Sequence, residues 1–132
     1  MTDPKPLVSG ADFLVVPTKD FEKATEFYGT VLGLPQSKQY GQRPGGEFET
    51  GSLTLQVVQS ESFGMEFHPS KNPLALHVED VEAARAELES RGVEFVADTL
   101  DSGVCHMAFF QDPDGNALML HHRYAPPHER PG

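Results

Sequence analysis

Residues 20–35 decide the fold of this chain, and they read DFEKATEFYGTVLGLP. Apolar side chains recur here at positions 21, 24, 27, 28, 31 and 32, a spacing that places them on one face of an α-helix. Thr18 or Asp20 can cap the start of this helix, and Gly33 with Pro35 is typical of a helix end. The stretch therefore predicts an amphipathic helix with one buried face.

Strand-like segments lie on both sides of this helix. Residues 12–17 contain the run FLVV, which is rich in residues that favour strands. Segments 36–40, 47–50 and 52–59 are short and are separated by glycine and proline, as in an antiparallel meander. Together with the helix they predict one β-α-β-β-β unit.

The same order of elements restarts 60 residues later, where Asp80 and Ala84 repeat Asp20 and Ala24. A repeat in both residues and element order indicates tandem duplication. The second unit comprises a strand at 74–78, a helix at 80–92, and strands at 93–99, 104–110 and 116–123, with a turn at 112–115 joining the last two.

The duplication predicts one α+β domain of two tandem modules that form a curved mixed sheet, or half-barrel, with the helices on its outer face. Module one spans about residues 10–60, the linker 61–72, module two about 73–124, and a proline-rich tail 125–132. We expect each helix to cross over so that the next strand lies parallel to the first. The free face is a candidate ligand cavity or, alternatively, a core between modules or subunits.

Charge and cysteine content limit the function classes. The chain has 10 Lys and Arg against 20 Asp and Glu, so its net charge of −10 disfavours nucleic acid and anionic membrane partners. Cys105 is the single cysteine, which excludes an intrachain disulfide and favours a reducing compartment. With no signal peptide or membrane-spanning run in the sequence, we predict a cytoplasmic protein.

Two stretches resemble a known family. Residues 20–34 resemble the first helix of the vicinal oxygen chelate superfamily, and residues 109–116, FFQDPDGN, resemble the turn before its last strand. The superfamily includes glyoxalase I, extradiol dioxygenases, fosfomycin resistance enzymes and bleomycin resistance proteins. The resemblance covers nearly the whole chain and implies the two-module fold.

The resemblance also implies four positions for a metal site, on the first and last strand of each module. This chain places Phe13, Gln56, Pro73 and Met119 there, and only Gln56 could ligate a metal. A catalytic metal needs about three protein ligands. We therefore predict no metal at these positions and no cofactor.

Two histidines could form a displaced site. His77 and His121 should face the same cavity, where they would bind a metal, act as a general base, or simply orient a ligand. The linker contains Phe63, Met65 and Phe67, which we interpret as a lid over the cavity or a strap across the seam between the modules.

These observations predict a metal-free protein that sequesters a hydrophobic or cationic organic molecule, as bleomycin resistance proteins do, and that forms a homodimer. The alternatives are a metal-dependent lyase or extradiol-type dioxygenase with a displaced site, and a non-catalytic interaction module. The predicted cavity residues are Phe13, Val15, Tyr40, Thr54, Gln56, Ala75, His77, Met119 and His121.

Overall fold

The computed structural model describes residues 5–126, so most of the predicted tail lies outside the described residues. The strands are β1 (Phe13–Thr18), β2 (Gln36–Gln39), β3 (Gly45–Glu49), β4 (Thr54–Gln59), β5 (Leu74–His77), β6 (Leu100–Asp101), β7 (Cys105–Gln111) and β8 (Ala117–Arg123). The helices are α1 (Phe21–Thr25), continued by a π-helical segment (Glu26–Val31), then a 3-10 helix (Ser60–Phe63) and α2 (Val81–Ser90).

Each unit forms its own four-stranded mixed sheet, in the order β1-β4-β3-β2 for the first and β5-β8-β7-β6 for the second. This confirms the predicted α+β fold of two repeated modules. The crossover differs in one respect: the parallel neighbour of β1 is β4, whereas β2 lies at the opposite edge of the sheet. The two antiparallel turns of the meander bring β4 back beside β1, and they leave β2 parallel to β1 without contact.

The predicted strand at 93–99 is largely irregular. Only an isolated bridge between Phe95 and Phe110 forms in this segment, and the regular pairing is the short β6 that follows it. Ala97 has a φ of 154°, a value that side-chain-bearing residues rarely adopt, so the extended conformation is interrupted there. Strand-like composition predicted a strand, but the local backbone does not sustain one.

Both helices begin where the sequence predicts. The carboxylates of Asp20 and Asp80 accept hydrogen bonds from the backbone N–H groups of Lys23 and Ala83, respectively. Such a cap satisfies one of the free N–H groups of the first turn. The first helix then widens into the π-helical segment, in which the N–H of Leu32 donates to the carbonyl of Phe27.

The two units share one hydrophobic core. Phe27 from the first unit lies 5.2 Å from Tyr28 in an edge-to-face arrangement and 6.4 Å, centroid to centroid, from Phe110 of the second unit. Phe48, Leu55 and other members from both sheets are fully buried in the same cluster. The buried face predicted from residues 20–35 therefore packs against both modules.

A buried hydrogen-bond network joins the units at this core, and we call it the interunit clamp: Tyr28, Asp112 and Asn116. The hydroxyl of Tyr28 donates to Oδ2 of Asp112 at 2.6 Å, and Nδ2 of Asn116 donates to the same oxygen at 2.8 Å. Burial and the Asp112 carboxylate raise the pKa of Tyr28 far above its ordinary value. The tyrosine therefore remains a neutral donor to the carboxylate.

The turn that carries the clamp also holds the end of β1. Nδ2 of Asn116 donates to the carbonyl of Pro17 at 2.8 Å, and Oγ1 of Thr18 donates to Oδ2 of Asp114 at 2.5 Å. Thr18 is 1% exposed and Asn116 3%, so water competes little with these contacts. The Asp-Pro-Asp-Gly-Asn turn thus fixes the position of one module against the other.

We predict that Tyr28→Phe lowers the free energy of unfolding by about 1.5–3 kcal/mol, because it removes a buried hydrogen bond to a carboxylate. Urea unfolding monitored by circular dichroism measures this change. The matched control is Tyr124→Phe, whose hydroxyl donates to Asp101 at 2.7 Å on the surface. We expect the control to cost less than about 0.5 kcal/mol. Equal losses in the two variants would contradict the structural role of the clamp.

Candidate functional site

The sheet faces opposite the core are open. In β4, Leu55 and Val57 are fully buried, while Thr54 and Gln56 alternate with them and are half-buried. Successive strand residues point to opposite faces, so Thr54 and Gln56 belong to the open face of the first sheet. This is the face for which the sequence predicted a cavity.

A polar network covers the middle of this face, and we call it the Tyr40 network: Tyr40, Glu47 and Gln56. Gln56 Nε2 donates to the Tyr40 hydroxyl at 2.7 Å, and that hydroxyl donates to Glu47 Oε2 at 2.5 Å. Glu47 and Gln56 are paired in the β3–β4 ladder. Partial burial and the bond to Glu47 raise the pKa of Tyr40, which therefore stays neutral near pH 7.

A second carboxylate lies beside the network. Glu49 accepts hydrogen bonds from the hydroxyls of Ser37 and Thr54, at 2.5 and 2.6 Å. These bonds lower the pKa of Glu49, so this carboxylate is ionised near pH 7. The sequence analysis missed both Glu47 and Glu49, although alternation along the predicted strand 47–50 places them on the open face.

Apolar side chains lie on the same face as the carboxylates, on the far side of β4. Phe13 and Val15 pair with Thr54 and Gln56 in the parallel β1–β4 ladder, and they are 54% and 44% exposed. Such exposure of large apolar side chains in a strand marks a surface suited to a ligand or to another protein. The first sheet therefore presents an apolar row on β1 and an acidic row on β3, with the polar residues of β4 between them.

The open face of the second sheet is more apolar. Ala75 pairs with Met119, and Met119 pairs with Phe109 on its other side. His121 follows Met119 on the same face and pairs with Met107. The predicted cavity residues Ala75, Met119 and His121 thus lie together in one part of this sheet.

The inherited metal positions do not fit a metal. Phe13 and Gln56 are on the first sheet, Met119 is on β8, and Pro73 lies exposed immediately before β5. Gln56 offers the one possible ligand, and its amide nitrogen is bonded to Tyr40. The residues at the other three positions are apolar, and one amide oxygen cannot replace the set of about three ligands that a catalytic ion requires.

His77 has close neighbours besides its predicted partner His121. The β5–β8 register aligns its Cα with that of His121, but its ring contacts His122, at 5.8 Å between centroids, and its Nε2 lies 3.1 Å from Glu79. His77 is the last residue of β5, where the strand gives way to the loop before α2. The convergence of His77 and His121 on one cavity stays a prediction.

The linker aromatics occupy two separate places. Phe63 borders the Tyr40 network: a Cβ added at Gly45 would lie 2.8 Å from the ring of Tyr40 and 3.2 Å from that of Phe63. Phe67 lies beneath the ammonium group of Lys19, 5.0 Å away, and Met65 is 49% exposed. Phe63 therefore occupies one edge of the open face, and the lid remains a prediction.

Two repeated β-α-β-β-β units with open sheet faces define a paired-module α+β protein of the vicinal oxygen chelate type. The chain belongs to the Glyoxalase/Bleomycin resistance protein/Dioxygenase superfamily, whose family model matches residues 10–120. The match covers both modules and confirms the resemblance inferred from residues 20–34 and 109–116.

Solved structures share this fold. A superfamily member from Sphaerobacter thermophilus aligns with a TM-score of 0.75 and 20% identity, over 88% of this chain and 98% of that one. TnmS3, an antibiotic binding protein from Streptomyces, aligns with a TM-score of 0.74 and 26% identity, over 90% of this chain and 99% of that one. A glyoxalase/bleomycin resistance protein/dioxygenase from Nocardioides aligns with a TM-score of 0.72 and 21% identity, over 98% of this chain and 93% of that one.

A search of the curated proteins found no significant match to this sequence. Within residues 5–126, no helix has the length and apolar character needed to cross a bilayer.

The three tyrosines predict an alkaline loss of stability. Hydrogen bonding to Asp101 raises the pKa of Tyr124, as burial does for Tyr28 and Tyr40. An unfolded tyrosine ionises near pH 10, so the stabilisation is complete below about pH 10 and falls as the pH rises toward the folded-state values. We expect tyrosinate absorbance to appear at higher pH in the folded than in the urea-unfolded protein. If tyrosinate absorbance appeared over the same pH range in the folded and the urea-unfolded protein, this prediction would be wrong.

Proposed function

We propose that this protein binds a small organic molecule with an apolar body and a cationic group on its open sheet faces, and that it sequesters the molecule without metal chemistry. The observation that carries this proposal is the Glu47 carboxylate, held by Tyr40 on the same open face as the exposed side chains of Phe13 and Val15 and separated from them by one strand, β4. A cation would meet the carboxylate, and the apolar body would cover the strip on β1.

The electrostatics favour a cation over an anion. Glu47 and Glu49 lie two residues apart on one strand, and the bonds from Ser37 and Thr54 keep Glu49 ionised. The Tyr40 ring adds an aromatic surface, which attracts ammonium and guanidinium groups. Lys38 already lies over this ring, with its ammonium 5.8 Å from the centroid, so the ring accepts a cation in this geometry.

The relatives are consistent with binding as the primary activity. TnmS3, at 26% identity, is described as an antibiotic binding protein. The inherited metal positions of the present chain carry apolar side chains and one amide, so we propose no lyase or dioxygenase step. The lone Cys105, which is buried beside the hydroxyl of Ser102 at 3.1 Å, is compatible with the proposed cytoplasmic location.

We further propose that two copies of the chain enclose the cavity. β1 is an edge strand, and three consecutive apolar residues, Phe13, Leu14 and Val15, are each more than 40% exposed on it. An exposed apolar edge strand readily pairs or packs with another chain. A second copy would cover this edge and convert two open faces into a closed site.

We predict that Glu47→Gln weakens binding of an aromatic amine at least about tenfold, because it removes the charge that pairs with the cation. The amine would be chosen by a thermal-shift screen against neutral analogues of the same shape, since a ligand of the native state raises the melting temperature. Calorimetry then measures the affinity of each variant. The matched control is Glu94→Gln, which makes the same charge change at an exposed residue of the second unit.

Two results would contradict this proposal. One is a preference for the neutral analogues over the amines in the screen. The other is an equal loss of affinity in the Glu47→Gln and Glu94→Gln proteins, since that would reflect net charge alone rather than a contact with the ligand.

We predict that Val15→Glu shifts the protein from dimer to monomer, because a charge on the apolar edge opposes its burial. Sedimentation equilibrium measures the mass. Val96→Glu is the control, since Val96 is 62% exposed and belongs to the irregular segment of the second unit. A wild-type monomer at micromolar concentration, or dissociation caused equally by both variants, would contradict the proposed pairing through β1.

A further inference from the structure

Three groups that commonly ligate metals meet where β5 ends, away from the inherited positions. His77 is the last residue of β5, Glu79 follows in the loop before α2, and His122 is on β8. One ligand atom of each lies within 4.8 Å of the other two. Among the described residues, this is the one group of three or more His, Cys, Asp or Glu side chains with such spacing. We call it the His-Glu-His cluster.

The spacing is close to that of a coordination sphere. His77 Nε2 lies 3.1 Å from Glu79 Oε1, and the two imidazole rings are 5.8 Å apart at an angle of 44°. Ligand atoms held about 2.1 Å from a tetrahedral ion lie about 3.4 Å from one another. The side chains of His77 and Glu79 are 66% and 88% accessible, so small rotations of both would bring the set to that spacing.

One histidine of the cluster has a ring nitrogen without a hydrogen-bond partner among the described residues. Nδ1 of His122 is buried and has no hydrogen-bond partner among the described residues. A buried polar atom without a partner is uncommon in native proteins and calls for an explanation such as a bound water or ion. The Nε2 of His77 has Glu79 as its partner, a pair that an ion would bridge.

We propose that this cluster binds one divalent transition-metal ion through two imidazoles and one carboxylate, with water completing the sphere. Imidazole ligands favour Zn²⁺, Co²⁺, Ni²⁺ or Cu²⁺ over Mg²⁺ and Ca²⁺, which prefer oxygen ligands. The site is independent of the proposed organic ligand, which binds without an ion. It also differs from the pair His77 and His121 expected from strand alternation.

The ion would connect three parts of the second unit: the end of β5, the loop that leads to α2, and β8. Since the cluster is assembled only in the folded chain, the ion should raise the melting temperature as its concentration increases. Binding of the ion would therefore stabilise the folded second unit. Its open water positions also leave it accessible from solvent.

Titration of the full-length, chelator-treated protein with ZnCl₂ tests the site, with Co²⁺ absorption as a spectroscopic measure of nitrogen coordination. We expect one equivalent to bind to the wild type and the affinity to fall at least about tenfold in His77→Ala, Glu79→Gln and His122→Ala. Because His122 is partly buried, far-UV circular dichroism and the metal-free melting temperature check its fold. The Glu79 side chain is 88% exposed, so we expect Glu79→Gln to fold. This variant still tests the site if His122→Ala does not fold.

Two controls separate this site from the alternatives. His121→Ala removes the histidine aligned with His77, and His68→Ala removes an exposed histidine that also lies near a glutamate, 3.5 Å from Glu66. Both should bind Zn²⁺ as the wild type does. The proposal is overturned if no stoichiometric binding occurs, if Glu79→Gln and His77→Ala bind normally, or if His121→Ala abolishes binding while His122→Ala does not.

Discussion

The hydrogen bond from Tyr28 to Asp112 is the contact on which the arrangement of the two units depends. It joins residues 84 apart in the chain, it is buried, and it links the first helix to the turn before the last strand. The same turn holds β1 through Thr18 and the Pro17 carbonyl. A carboxylate buried at this depth is tolerated only because several donors surround it. The clamp therefore specifies how the modules meet, in addition to stabilising them.

This arrangement explains why the open faces are available for binding. Because the π-helical segment and the second sheet bury Phe27, Tyr28 and Phe110 together, the core lies between the units on one side of both sheets. Among residues 5–126, no element covers the opposite faces. The first face carries Glu47 and Glu49 on β3 and apolar residues on β1, and the second carries Ala75, Met107 and Met119. The duplicated units have thus diverged into an acidic face and an apolar face.

The loss of the inherited metal positions and the presence of the His-Glu-His cluster follow from different constraints. Phe13, in the first pair of the β1–β4 ladder, and Met119 both belong to regular ladders, where alternation assigns the side chain to the open face. Apolar residues there favour a binding surface. His77 and Glu79, by contrast, occupy the end of a strand and the loop beyond it, where the chain turns toward α2. Loops of this kind commonly position functional groups on a rigid framework.

The sequence alone determined the elements that depend on local spacing. The helical face of residues 20–35, the caps at Asp20 and Asp80, the duplicated order and the membership of the family were all predicted, because helix and strand periodicity are properties of neighbouring residues. Only the tertiary structure decided which strand lies beside β1, that Tyr40 binds Glu47, and that His77 lies near His122. Those contacts depend on the order of the strands in each sheet and on side-chain directions at strand ends. Both are determined by packing between segments that are distant in the chain.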